Sequence, residues 1–186
     1  MRFLWKLFFR LSGWKIRDPF PLNTPKAVII VGPHTCRTDF VIGIAAKSIL
    51  QLKGAHYFGK EELFNGPFGF FFRFTGGYPV NRFSKKNMVD QAVDIFNDHT
   101  EFLLALSPEG TRKKVDRLRT GFYYIAQKAN VPIVMVAFDF SQKEIHIEAP
   151  FYTSNDEAAD FKKIIDYFGP IKGKYPELGL SHLQIS

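Results

Sequence analysis

The order of apolar and polar positions breaks the chain into short periodic segments. Ala27 to Val31 is an unbroken apolar run, the pattern of a strand covered on both faces, and Phe102 to Leu106 and Ile133 to Phe140 repeat it. Helical spacing runs from Phe40 to Leu52 and from Gly121 to Ala129. It also runs from Ser84 to His99, where Ser84 serves as the cap and Met88, Ala92, Ile95 and Phe96 share one face. Ala55 to Phe58 and Tyr78 to Val80 read as short strands, Ile145 to Ala149 as an edge strand and Asp156 to Phe168 as a final helix. Strands that alternate with helices predict an α/β layer architecture. No internal repeat, low-complexity tract or second-domain boundary interrupts it.

The amino terminus follows a different pattern. Arg2, Lys6 and Arg10 recur every four residues, so on a helix they drift only ~40° per step and form one basic stripe. Phe3, Leu4, Trp5, Leu7, Phe8, Phe9 and Leu11 fill the rest of the circumference. Fourteen helical residues reach about 21 Å, and a bilayer core needs about 30 Å, so the segment is too short to span. Basic interruptions and the lack of a small-residue cleavage site argue against a secretory signal. The expected placement of residues 1–17 is the membrane interface, cations toward anionic headgroups and aromatic rings in the acyl boundary. A helix packed on the domain with its charges outward is the alternative. Asp18 to Pro25, with three prolines, reads as a linker into the main domain, residues 18–186.

Composition narrows the classes. With 186 residues, 46% hydrophobic and 16% aromatic, the chain has the material for one well-packed domain. Five of the seven surplus positive charges lie in residues 1–17, so no nucleic-acid partner is expected. Cys36 is the only cysteine, which excludes an internal disulfide and multi-cysteine metal sites and fits a reducing, cytoplasmic setting. His56, His99, His146 and His182 are scattered, so no metal centre is expected.

Candidate chemistry begins directly after the first buried strand, in Gly32-Pro33-His34-Thr35-Cys36-Arg37-Thr38-Asp39. Asp39 stands where the next helix starts, with its carboxylate favoured by the helix dipole, and it can accept the Nδ1 proton of His34. That leaves Nε2 as a general base. By spacing alone Asp39 serves equally as an N-cap, and His34 as an ordinary loop residue. Two further clusters change the picture, Gly76-Gly77-Tyr78-Pro79-Val80-Asn81-Arg82 and Leu106-Ser107-Pro108-Glu109-Gly110-Thr111-Arg112. Each joins glycine, for close backbone approach, to an arginine able to grip a phosphate. Turn formation and solvated surface are the bland readings of the same residues.

These clusters resemble the four ordered blocks of the glycerolipid acyltransferase family typified by lysophosphatidic acid acyltransferases. His34 and Asp39 match the His-x4-Asp block, Gly77 to Arg82 the second, Pro108 to Arg112 the Pro-Glu-Gly-Thr-Arg block, and Val131-Pro132-Ile133 the last. The match covers roughly residues 27 to 140. Departures are Cys36 where many members have serine, no tryptophan before Asp39, Asn81 for an acidic residue, and Ser107 where phenylalanine is common.

The resemblance implies a single-domain mixed sheet flanked by helices and a fatty acyl transfer from coenzyme A or acyl carrier protein to a lysolipid hydroxyl. The family default acceptor is 1-acylglycerol-3-phosphate; another lysolipid, including an amino-acid-containing one, is the alternative. His34 would act as base and Asp39 as its orienting partner, without a covalent intermediate, a cofactor or a metal. Arg82 and Arg112 would hold the acceptor's phosphate or other anionic head, Glu109 would orient an arginine or the acceptor, backbone amides near Gly110 would bind the acceptor or the developing oxyanion, and Thr111 would complete substrate binding. The implied location is peripheral, on the cytoplasmic side of the cell membrane.

Other features stay outside the blocks. The phenylalanines between Leu63 and Tyr78 read as core or, collectively, as the wall of an acyl channel opening on the membrane. Lys113, Lys114, Arg117 and Arg119 read as a solvated basic face or as contacts to donor or headgroup phosphates. A thioesterase is disfavoured because Ser107 is not in a Gly-x-Ser-x-Gly elbow. A non-catalytic membrane-binding module is disfavoured by the retained blocks.

Overall fold

The computed structural model describes residues 1–21, 23–81 and 86–183. In chain order the elements are α1 (Arg2–Ser12), β1 (Lys15–Ile16), β2 (Lys26–Gly32), α2 (Thr38–Leu50), β3 (Ala55–Lys60), α3 (Glu61–Asn65), α4 (Gly69–Thr75) and β4 (Gly77–Val80). They continue with α5 (Met88–Asp98), β5 (Phe102–Leu106), α6 (Gly121–Ala129), β6 (Ile133–Asp139), β7 (Glu144–Ile147) and α7 (Glu157–Phe168), then two short 3-10 turns.

One seven-stranded mixed sheet runs in the order β1-β7-β6-β2-β5-β3-β4. β7 lies antiparallel to β6, and the remaining pairs are parallel. The central strands alternate in the expected way. Val28, Ile30, Leu104, Met135 and Ala137 enter the core beneath α5, α6 and α7, whereas Ala27, Ile29, Leu103, Val134 and Val136 enter the core beneath α1 and α2.

That division positions the site. β2 and β5 are neighbours, with Ile30 opposite Leu106, but the helices that follow them cover opposite faces of the sheet. Their carboxyl ends therefore diverge and leave a crevice between the two loops, the place where open α/β sheets bind ligands.

Several sequence expectations need correction. β7 is not an edge strand: β1, only two residues long, pairs outside it. A strand this short carries no periodicity to detect. Asn87, not Ser84, caps α5, accepting from Asp90 N–H at 2.9 Å, and Ser84 lies outside the described residues. The segment after Asp18 is bound to the domain rather than a loose linker: Phe20 is buried and Asp18 accepts from Ile147 N–H at 3.2 Å.

α1 resolves into three stripes. Phe8, Trp5 and Phe9 face the core, Arg2, Lys6 and Arg10 form the basic row, and Phe3, Leu4, Leu7 and Leu11 remain exposed beside it. The helix thus packs on the domain and keeps a free apolar face. It ends at Gly13, whose φ of 80° puts the chain in the left-handed region glycine tolerates, and turns into β1.

Candidate active site

His34 and Asp39 meet in the loop between β2 and α2. Nδ1 of His34 lies 3.0 Å from Asp39 Oδ2. An ionised carboxylate only accepts, so Nδ1 carries the proton, and in the neutral imidazole Nε2 keeps its lone pair. The same Oδ2 accepts the amides of Thr35 and Cys36 at 3.0 Å each, and the Cys36 thiol donates to Oδ1 at 2.9 Å. Burial opposes ionisation of Asp39, yet the hydrogen bonds from His34 and Cys36 outweigh it and hold the carboxyl below its ordinary range. Asp39 is buried, whereas the His34 side chain is 30% exposed at the crevice.

Glu109, in the loop after β5, supports this loop from below. The resemblance had it orient an arginine or the acceptor; in the structure it is 2% exposed, and its two oxygens take the His34 amide at 2.8 Å and the Ser107 hydroxyl at 2.6 Å. It therefore positions His34. Burial pushes its carboxyl above the ordinary range, partly offset by the bonds from Ser107 and His34. The amide of Gly110 is likewise committed, donating to Ser107 O at 3.1 Å in a turn with φ of 66°, which removes it as an oxyanion donor.

Two spaces converge on His34. An apolar cavity of about 550 Å³ runs between α2 and the sheet, walled by Ile29, Val31, Gly43, Ile44, Val136 and Phe138. A more polar cavity of about 500 Å³ is lined by Ser107, Gly110, Thr111 and Arg112. His34, Tyr57, Ser107 and Arg112 border both. Both volumes fall in the range of about 300–1,000 Å³ common for small-molecule sites. The structure thus brings His34, Asp39, Glu109, Gly110, Thr111 and Arg112 to one crevice; Arg82 lies outside the described residues.

Sequence reasoning missed two contributions. Tyr57, at the border of both cavities, is fixed by its hydroxyl to Thr75 Oγ1 at 2.8 Å. The carboxy-terminal segment also packs on the His34 loop: Tyr175 N–H donates to Thr35 Oγ1 at 3.3 Å, and a Cβ on Gly173 would lie 2.7 Å from that oxygen. Beneath, the Phe168 ring lies 3.3 Å from where a Cβ on Gly32 would stand. These residues have no motif; only the three-dimensional packing joins them to the loop.

Cys36 is not a nucleophile here. Burial and the hydrogen bond to Asp39 raise its thiol pKa, the opposite of what a thiolate needs. Cys36→Ser is expected to keep activity within about tenfold, because a hydroxyl can donate the same bond to Asp39. Steady-state rates compared with wild type check this, and complete loss would mark Cys36 as an acyl-carrying nucleophile.

The His34–Asp39 pair thus stands at the carboxyl end of β2, in a crevice bordered by an apolar and a more polar cavity. The chain belongs to the acyltransferase family, which it matches over residues 15–139. It is 25% identical over 178 residues to human 1-acyl-sn-glycerol-3-phosphate acyltransferase beta, a match covering 93% of this chain and 63% of the relative's length. Among solved structures, the 1-acyl-sn-glycerophosphate (LPA) acyltransferase PlsC from Thermotoga maritima shares the fold, with a TM-score of 0.61 and 17% identity. That likeness covers 89% of this chain and 74% of the other.

Proposed function

We propose that the protein transfers a fatty acyl group from the thioester of acyl-coenzyme A or acyl carrier protein to the free hydroxyl of a lysophospholipid, 1-acylglycerol-3-phosphate in the first instance. The observation that carries this reading is the position of His34 where the apolar and polar cavities meet. The acyl chain occupies the former and the acceptor's glycerol and phosphate the latter. The family supports acyl transfer, and the name of the human relative supports a lysophosphatidate-type acceptor.

In the reaction, Asp39 holds the Nδ1 proton and Nε2 takes the proton of the acceptor hydroxyl. The hydroxyl oxygen attacks the thioester carbonyl, the tetrahedral intermediate collapses, and the departing thiolate recovers the proton from Nε2. The products are an ester and a free thiol. Asp39 stabilises the imidazolium between the two steps. Direct attack suits the geometry, because Ser107 donates to Glu109 and Cys36 to Asp39, so neither is aimed at His34. Arg112, with Gly110 and Thr111 beside it, is the phosphate contact.

No helix among the described residues is long and apolar enough to cross a membrane. The basic row and exposed apolar stripe of α1 support peripheral binding at the cytoplasmic face of the cell membrane, where lysolipid is held.

Acceptor-dependent thiol release, with the acylated lipid identified by mass spectrometry, tests the reaction. Arg112→Ala is expected to raise the acceptor KM by about tenfold or more, a hydrogen bond to a charged group being worth about 1.5–3 kcal/mol. An unchanged KM would remove Arg112 from the phosphate site.

A further inference from the structure

The α3–α4 hairpin presents an apolar surface for which neither the core nor the reaction has a use. Phe68, Phe70 and Phe74 are 68%, 73% and 67% exposed, and Leu63 and Phe71 are exposed beside them. Of the hairpin's phenylalanines only Phe64 is buried. So dense a cluster differs from the single apolar residues that ordinary surfaces scatter.

The hairpin's own backbone holds these rings outward. Gly69 approaches α3 so closely that a Cβ would lie 2.1 Å from the Phe64 carbonyl oxygen. Arg73 donates to that carbonyl at 2.8 Å, with its guanidinium 5.5 Å from the Phe64 ring centre. At the far end, Thr75 Oγ1 donates to Phe71 O at 3.0 Å, and Lys47 of α2 donates to Thr75 O at 3.2 Å. Glycine, cation and hydroxyl therefore fix the fold, and the exposed rings are left for another purpose.

Charge and placement indicate the occupant. The charges of the hairpin, Lys60 and Arg73 against Glu61 and Glu62, sum to zero, so no net negative charge repels it from an anionic leaflet. α2 contacts α1 at Ile49, whose carbonyl accepts from Arg2 at 3.1 Å, and α4 at Lys47. Both α1 and the hairpin therefore adjoin α2. α1 brings a cationic row that complements anionic headgroups, and Phe40 and Val41 of α2 are exposed as well. The apolar cavity that reaches His34 is lined by Phe40 of α2 and Thr75 of α4, beside the hairpin.

We propose that the α3–α4 hairpin is a second membrane-insertion element: Phe68, Phe70, Phe71 and Phe74 enter the acyl boundary of a phospholipid bilayer while α1 binds its headgroups. The two contacts set the cavity against the leaflet from which the lipid chain comes. The proposal uses the interfacial reading of α1 for orientation, and vesicle binding reports on it whatever the acceptor is.

The test is flotation of the full chain with vesicles of phosphatidylcholine alone and of phosphatidylcholine with phosphatidylglycerol. Phe70→Ser/Phe74→Ser removes two exposed rings, so its thermal transition is expected to match wild type. Its partitioning is expected to fall by about tenfold or more on both vesicle types, since burying one such ring is worth about 1.5–3 kcal/mol in full. Activity on a water-soluble short-chain acceptor is expected to stay unchanged. Lys6→Glu/Arg10→Glu is expected to lose binding chiefly on anionic vesicles. Unchanged partitioning of the phenylalanine variant would overturn the proposal, even if the α1 variant loses binding. So would a wild-type dimer that this variant converts to monomer with vesicle binding intact, because the patch would then be a self-association surface. Wild type that floats with neither vesicle would also overturn it, while leaving the transfer reaction to be judged by thiol release.

Discussion

Asp39→Asn is expected to lower kcat by about 10²–10⁴-fold while changing the acceptor KM little, the signature of losing a base's orienting partner. Asp39 is buried and borders the apolar cavity behind His34, so its main effect on the acceptor runs through the imidazole. An amide side chain has one accepting atom where the carboxylate has two. In either orientation its own N–H groups face donors: His34, Thr35 and Cys36 at Oδ2, or the Cys36 thiol at Oδ1. The imidazole then loses its fixed tautomer and the counter-charge for its protonated form. A stability change accompanies this. Because the folded carboxyl is held below its ordinary range, the unfolded chain takes up the proton first as pH falls. The stability Asp39 supplies is therefore present above about pH 4, the ordinary aspartate value, and is lost as pH drops through the folded value. Urea titrations of both proteins across that range check it: wild type is expected to weaken there more steeply than the variant.

Glu109→Leu is expected to have the second-largest effect, and Glu109→Gln a small one. Leucine leaves the His34 amide without its acceptor beneath the catalytic loop, a loss of about 1–3 kcal/mol for an unsatisfied buried group, and a misplaced base on top of it. The rate is expected to fall by about a hundredfold, in line with the sensitivity of catalysis to placement errors near 1 Å. Glutamine keeps one oxygen for the His34 amide, and Ser107 can turn to accept from the new N–H, so most activity is expected to remain. The pH dependence has the opposite sign to that of Asp39. Glu109 has a raised folded pKa, so between about pH 4.3 and that value the folded chain binds more protons than the unfolded one. Its contribution to stability declines as pH rises through this window, and Glu109→Gln is expected to flatten the decline. If glutamine were as damaging as leucine, the acidity of Glu109 would matter in the reaction and a purely positioning role would be wrong.

Glu109 also shows where sequence reading stops. Its motif marks the site, but the letter E is the same for a glutamate on the surface and for one buried under a loop. Only the neighbouring β2 and β5, aligned Ile30 to Leu106, place it beneath His34. Elements with strong periodicity were legible: β2, β5 and β6 as apolar runs, α6 and α7 by spacing, while the cap of α7, Asp156 accepting from Ala159 N–H at 3.0 Å, emerges only in the structure. β1 is too short to carry a period, and its pairing with β7 is a tertiary event. In α3–α4 the density of phenylalanine hid two helices, because apolar residues on every side of a helix erase its amphipathic signal. α1 packs on the domain through Phe9, Trp5 and Phe8, the alternative offered for it, and its exposed apolar stripe and basic row carry the interfacial placement as a proposal. The hold of Thr35 by Tyr175, across 140 residues, has no sequence signal at all.

The most direct test of the account is thiol release from acyl-coenzyme A and acyl carrier protein donors with a panel of lysolipid acceptors, comparing wild type with His34→Ala. The account predicts release that requires an acceptor, an acylated lipid of matching mass, and loss of both in His34→Ala. Release that proceeds without any acceptor, or acyl transfer that survives His34→Ala, would contradict it.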